Sequence, residues 1–146
     1  MPTLVIDTAT AACSVALIEG GRVIDARHET VGRGHAERLV PMIAELAGGG
    51  RAGRILVDVG PGSFTGIRVG IAAARGLALG WGAEVAGYSS TSLIAADALA
   101  GGVPAPLAVV LEGGHGELFV QGFAAPLAPD GPLASLRPAD ALAAIG

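Results

Sequence analysis

The chain has 146 residues with nine Lys+Arg against 13 Asp+Glu, a formal net charge of -4, and a length that fits one domain or one domain plus part of another. All nine cations are arginines and they form no run, which argues against a chain that grips nucleic acid by itself, because such proteins carry a basic patch. Charged residues make up 15% of the chain, where about 25% is usual, so apolar area must reach the surface as a partner patch, unless the Ala and Gly reflect only a GC-rich coding sequence.

Residues 4–7 read as a short buried strand and residues 12–19 as a second. Gly20-Gly21 is a hairpin turn, and residues 22–29 form a third strand antiparallel to the second. A helix is expected over 35–47, where Ala36, Leu39, Val40, Ile43 and Leu46 recur at helical spacing. Pro41 lies inside it and should kink it. Residues 54–59 are apolar enough for a central strand, Gly60-Pro61-Gly62-Ser63 is the turn after it, and a second helix spans 65–80 with Ile67, Ile71, Ala74 and Ala78 as its apolar stripe. A short strand at 84–86 and a third helix at 90–100, capped by Ser89 or Ser90, follow.

The order β-β-β-α-β-α-β-α describes an α/β unit, a mixed sheet with helices on its faces. It matches the ribonuclease H-like arrangement, which is also half of an actin-like ATPase. Residues 1–102 are therefore assigned to an actin-like (ASKHA) N-terminal domain, and 103–146 to a truncated second domain. The latter begins with a β-hairpin, strands at 107–111 and 118–123 around Glu112-Gly113-Gly114-His115-Gly116, and ends in a short helix at 139–145.

The single cysteine, Cys13, cannot form an internal disulfide, which fits a reducing cytoplasm. The N-terminus lacks the cationic start of a signal peptide, and no run of about 18 apolar residues suggests a membrane span. A cytoplasmic protein with no membrane contact is expected.

Two loops carry candidate chemistry. Asp7-Thr8-Ala9-Thr10 ends the first strand. An acid there helps place a metal-bound nucleotide in actin-like ATPases, and the following turn wraps phosphate with backbone N–H groups. Ala9 and Thr10 stand where glycine would allow close approach, so Asp7, Thr8 and Thr10 are either remnants of a nucleotide loop or caps of a β-turn. Gly60-Pro61-Gly62-Ser63-Phe64-Thr65-Gly66-Ile67-Arg68 is neither a Walker A loop, since the chain has no Lys, nor a nucleophile elbow. It is either an anion site at a helix N-terminus or a rigid strand-to-helix turn.

The helix after this run is thin, with Gly66 and Gly70 one turn apart. Glycine in a helix costs about 1 kcal/mol relative to alanine, so close packing against a backbone must offset it. Packing on the sheet is the preferred reading, with a partner helix as the other. Arg68 and Arg75 share a face and either pair with acids of a partner or keep an exposed face soluble. His35 has no second ligand at metal spacing and reads as a capping or packing residue, and Cys13 as core.

Asp7-Thr8-Ala9-Thr10, Gly34-His35-Ala36-Glu37-Arg38-Leu39-Val40-Pro41-Met42-Ile43 and Gly60-Pro61-Gly62-Ser63-Phe64-Thr65-Gly66-Ile67-Arg68-Val69-Gly70 stand in the order and spacing of the TsaB family, also called YeaZ, which the chain resembles over about residues 3–100. The resemblance implies the actin-like fold and a non-catalytic scaffold or dimerization subunit. The complex it serves transfers threonylcarbamoyl to the adenosine beside the tRNA anticodon. It implies a TsaD-like catalytic subunit and a TsaE-like ATPase as partners, a homodimer through a similar surface, and tRNA reached only through the complex. It implies no cofactor and no metal. The partner interface it implies falls on the helix with His35, Leu39 and Met42 and the helix with Gly66, Arg68 and Gly70. Where TsaD-like proteins carry a His-x-x-x-His ligand pair, this chain has His35 and then Leu39. It departs from the family in Glu112-Gly113-Gly114-His115-Gly116-Glu117-Leu118-Phe119 and in a shorter C-terminal part. The alternatives are a degenerate actin-like ATPase using Asp7, or a glycoprotease-like enzyme.

Overall fold

Alternation of apolar residues builds the first sheet. In the computed structural model, which describes residues 1–113 and 116–145, β1 (Thr3–Asp7), β2 (Ala12–Glu19) and β3 (Arg22–Thr30) form an antiparallel meander. Gly20 and Gly21 both take positive φ, 58° and 73°, as a two-residue hairpin turn requires. Leu4 and Ile6 of β1 and Cys13, Val15 and Leu17 of β2 are buried, one residue in two, so they share one face.

β4 (Arg54–Asp58) pairs parallel with β1, and β5 (Glu84–Tyr88) parallel with β4, giving the order β3-β2-β1-β4-β5. Parallel neighbours need a crossover, and α1 (His35–Ala44) and α2 (Phe64–Trp81) supply the two required here. Leu39, Met42 and Ile43 of α1 and Ala74 and Ala78 of α2 join Leu4, Ile6, Ile55 and Val57 in one core. The helix α1 runs through Pro41 and ends at Ala44; Leu46 is still buried, but from the segment leading into a 3-10 turn at Ala47–Gly50.

The buried row of α2 is Gly66, Gly70, Ala74 and Ala78. Ile67 and Ile71, expected to lead the apolar stripe, are only half-buried. The smallest side chains face the sheet because the helix lies close to it. A Cβ on Gly66 would stand 2.1 Å from the Thr8 carbonyl oxygen, and one on Gly70 would stand 2.5 Å from Thr8 Oγ1.

Packing divides the chain between Tyr88 and Ser89. The second unit holds α3 (Ser90–Ala100), β6 (Leu107–Glu112), β7 (Leu118–Ala124), β8 (Ala128–Leu136) and α4 (Pro138–Ile145). Its three strands form an antiparallel sheet in the order β6-β7-β8. Ala95 of α3 packs with Val109 and Phe123 in a small core, while Val120 and Ala141 are buried where α4 meets β7 and β8. The strand β8 has no counterpart among the sequence expectations. Pro129 and Pro132 conceal it, and an edge strand tolerates both. Of the expected loop between β6 and β7, Gly114 and His115 lie outside the described residues.

Candidate functional site

The carboxyl ends of β1, β4 and β5 come together, the place where open α/β sheets bind ligands. Ile6 is in register with Val57, so Asp7 and Asp58 end neighbouring parallel strands. Each carboxylate folds back on its own turn: Asp7 Oδ1 accepts from the Ala9 N–H at 3.0 Å, and Asp58 Oδ1 from the Gly60 N–H at 2.8 Å. Tyr88 closes β5 opposite Asp58 and donates its hydroxyl proton to the Ile6 carbonyl at 3.2 Å. Burial first, then the charges of Asp7 and Asp58, hold that hydroxyl above the ordinary tyrosine range. Sequence reasoning missed Asp58. Its signal was an acid at the end of an apolar strand, separated from Gly60-Pro61-Gly62 by Val59 alone, in the same place as Asp7 on β1.

The turn after β1 fills the entrance to α2. The Ser63 N–H donates to the Ala9 carbonyl at 2.7 Å, and Ser63 Oγ accepts from the Gly66 N–H at 3.2 Å as the helix cap. Gly62 sits so close that a Cβ there would lie 2.4 Å from the Ala9 carbonyl oxygen. Thr8 is fully buried and donates its hydroxyl to the Gly66 carbonyl at 2.6 Å. Thr10 is exposed, and its Oγ1 accepts from the Ala12 N–H at 3.1 Å. Asp7, Thr8 and Thr10 thus all hold turns or helix contacts, and the N–H groups of Ser63 and Gly66 point at the chain's own oxygens.

Of the six residues assigned to a partner interface, the structure exposes one. His35, Leu39 and Met42 are all at or below 5% exposure, on the inner face of α1. His35 Nε2 lies 2.7 Å from the Thr10 carbonyl and 3.2 Å from that of Ala12, which ties the start of α1 to the turn after β1. Gly66 and Gly70 are buried against Thr8. Arg68 is exposed, its guanidinium 4.0 Å from the centroid of the Phe64 ring. Burial pushes the Cys13 thiol up, so it is an inert core group.

The outer side of the same two helices carries what the inner side does not. Val40 on α1 and Phe64 and Leu79 on α2 are 52%, 70% and 88% exposed. Ala36 and Ala44 flank Val40, and Ala72 lies between Arg68 and Arg75. Among the described residues no carboxylate comes within salt-bridge distance of Arg68 or Arg75. The buried residues of both helices join the core of the first sheet, so these exposed residues lie on the solvent side of α1 and α2, apolar and small side chains together with two cations that form no ion pair among the described residues.

A family model described as TsaD, tRNA N6-adenosine threonylcarbamoyltransferase, matches residues 24–125. YeaZ from Pseudomonas aeruginosa superposes with a TM-score of 0.83 at 31% identity, over 94% of this chain and 68% of that one. The chain belongs to the TsaB/YeaZ family. The tRNA threonylcarbamoyladenosine biosynthesis protein TsaB of Escherichia coli (strain K12) is 43% identical over 102 residues, which are 65% of this chain and 43% of that protein. The chain thus spans less than half the length of this TsaB relative. The ethanolamine utilization protein EutJ of Carboxydothermus hydrogenoformans, at 17% identity and a TM-score of 0.52, shares the fold over 94% of this chain and 53% of its own. The mixed sheet with its two crossover helices is thus the ribonuclease H-like, actin-like fold expected from the element order.

Proposed function

We propose that this TsaB/YeaZ-family chain is a non-catalytic scaffold in tRNA threonylcarbamoyladenosine biosynthesis, docking a TsaD-like catalytic subunit through the outer face of α1 and α2. The observation that carries this reading is the pairing of an exposed apolar helix face with strand ends occupied by the chain's own groups. Val40, Phe64 and Leu79 offer apolar area, and Arg68 and Arg75 call for carboxylates on the partner. The Ala9 carbonyl, the Ser63 cap and the turn-bound carboxylates of Asp7 and Asp58 take up donors and acceptors that a nucleotide would use. The interface therefore falls on the solvent side of the helices that the family resemblance points to, with Arg68 the one assigned residue on it. A TsaE-like ATPase, a homodimer through this face and a cytoplasmic location belong to the same reading. Among the described residues no helix is long and apolar enough to cross a membrane.

Light scattering behind size-exclusion chromatography tests it, on the chain alone and mixed with the TsaD-like protein of the same organism. A one-to-one complex is expected, lost in Val40→Asp and Leu79→Asp variants whose thermal melts match the parent. A complex that survives both substitutions removes this face as the interface. Gly70 is unsuitable for the purpose, because any side chain there meets Thr8 and disturbs the fold.

A further inference from the structure

The starts of α1 and α2 are held in different ways. Ser63 caps α2 with its own side chain, its Oγ accepting from the Gly66 N–H. Gly34 stands at the same place before α1 and offers no side chain to cap it. The lead into α1 is Val31-Gly32-Arg33-Gly34, with Gly32 at a φ of 63°. Pro41 also removes the N–H that would bond back to Glu37, so the first turn of α1 is less firmly held by the turns that follow. What fixes this start comes from outside the helix. His35, its first residue, brings Nε2 to 2.7 Å from the Thr10 carbonyl oxygen and 3.2 Å from that of Ala12. Both partners can only accept, so Nε2 carries the hydrogen and donates to them.

The turn that receives this donor also holds α2. The Ser63 N–H donates to the Ala9 carbonyl at 2.7 Å, and the Thr8 hydroxyl donates to the Gly66 carbonyl at 2.6 Å. The N–H groups of Val31 and Gly32 both donate to the Ala11 carbonyl, at 2.9 and 3.1 Å. The carbonyls of Ala9, Thr10, Ala11 and Ala12 are thus taken up by the start of α2, by α1 and by the segment between β3 and α1. Resting on the docking reading above, we propose that His35 is the positioning residue of the docking face. Through the shared turn it fixes α1 relative to α2, so that Val40 and Phe64, exposed on the two helices, meet one partner surface together. His35 itself is buried and never touches the partner. Coupling of this kind is reciprocal, so a partner that binds the fixed arrangement must also steady the turn it does not reach.

Calorimetric titration of the full chain with the TsaD-like protein of the same organism tests this, for the parent, His35→Leu, His35→Gln and Val15→Ala. Leucine removes the donor at similar size, and should weaken binding by roughly tenfold at a temperature where the variant is still folded. Glutamine returns an amide N–H to the place of Nε2, and should bind within about twofold of the parent. Val15→Ala opens a cavity in the core of the first sheet and lowers the melting temperature, yet should bind as the parent does, because a chain already folded keeps its docking face. Self-association through the same face should follow the same order. Hydrogen exchange of the parent should show the Val31, Gly32 and Ser63 amides slowing when the partner binds, and where His35→Leu does not fold this measurement decides alone. Unchanged affinity in His35→Leu overturns the positioning role. So does an equal loss in His35→Gln or Val15→Ala, and so does a complex that leaves those three amides exchanging as before. A parent that forms no complex, or a complex that survives Val40→Asp and Leu79→Asp, removes the docking face itself and the role of His35 with it.

Discussion

At the scale of single residues, the glycines of α2 are two populations that the sequence alone does not separate. Gly66 and Gly70 are required because Thr8 occupies the space a Cβ would take. Gly76 has nothing within 4 Å of where its Cβ would stand. Gly66→Ala would press a methyl group against the backbone oxygen of Thr8, and should cost about 1–3 kcal/mol as overpacking does. Gly76→Ala relieves the helix penalty of glycine with nothing to strike, and should stabilise by about 0.5–1 kcal/mol. Urea unfolding of both variants checks the pair; similar losses in both would mean that α2 does not lie on β1 as described. His35 teaches the same lesson about side. Its place at a helix start was legible, and so was its role as packing or cap, yet the interface assignment given to its helix named the three residues that face inward. A period of 3.6 finds a face, and only burial tells whether the sheet or a partner covers it.

At the scale of elements, α1 is lashed to β3 by charge. Arg38 of α1 bonds Glu29 on β3 and Glu45 at the helix end, and Arg27 of β3 pairs with Asp25 and donates to the Glu45 carbonyl. The Arg38 guanidinium holds Glu45 below the ordinary carboxylate range, and Arg27, followed by the Ala47 N–H, does so for Asp25. A depressed carboxylate pKa contributes stability above the unfolded value that is lost as pH falls through the folded value. Melting temperatures of the parent and of Arg38→Gln should therefore differ near neutral pH and converge toward about pH 3, with the difference also shrinking in high salt. A gap that stays constant across that range would show that Arg38 acts through packing. Element identities were otherwise largely legible. The strands β1 to β7 and all four helices follow from alternation, helical spacing and glycine punctuation, with no end displaced by more than three residues. The strand β8 was not legible, because Pro129, Pro132 and Gly131 are residues that strand interiors disfavour. The register shift between Val120 and Gly122 lets the sheet absorb them. Asp58 was missed although an acid closing an apolar strand is a local signal, because its meaning depends on lying beside Asp7 across a parallel pairing.

At the scale of the whole chain, the two units are unequally built. The first gathers buried residues from β1, β2, β4, α1 and α2 into one cluster, whereas the second has Ala95, Val109 and Phe123, with Leu107 and Leu111 beside them. Hydrophobic stabilisation follows buried apolar area, at about 25 cal/mol per Å², so the second unit holds far less against the same entropy cost per residue. Much of its last helix also stays in solvent, with Leu142 70% exposed. Local opening should accordingly begin there. Hydrogen exchange at dilute concentration should show amides of β7, β8 and α4 exchanging well before those of β1 and β4. Phe123→Ala sharpens the test, since it removes the largest side chain of the small core, a change that costs about 3–5 kcal/mol in a well-packed site. It should release protection in β6 to β8 while β1 and β4 keep theirs, and Ile6→Ala should lower protection in the first sheet. If Phe123→Ala releases both sheets together, the chain opens as one cooperative body, and the α1–α2 face could not be presented by the first unit while the second is open.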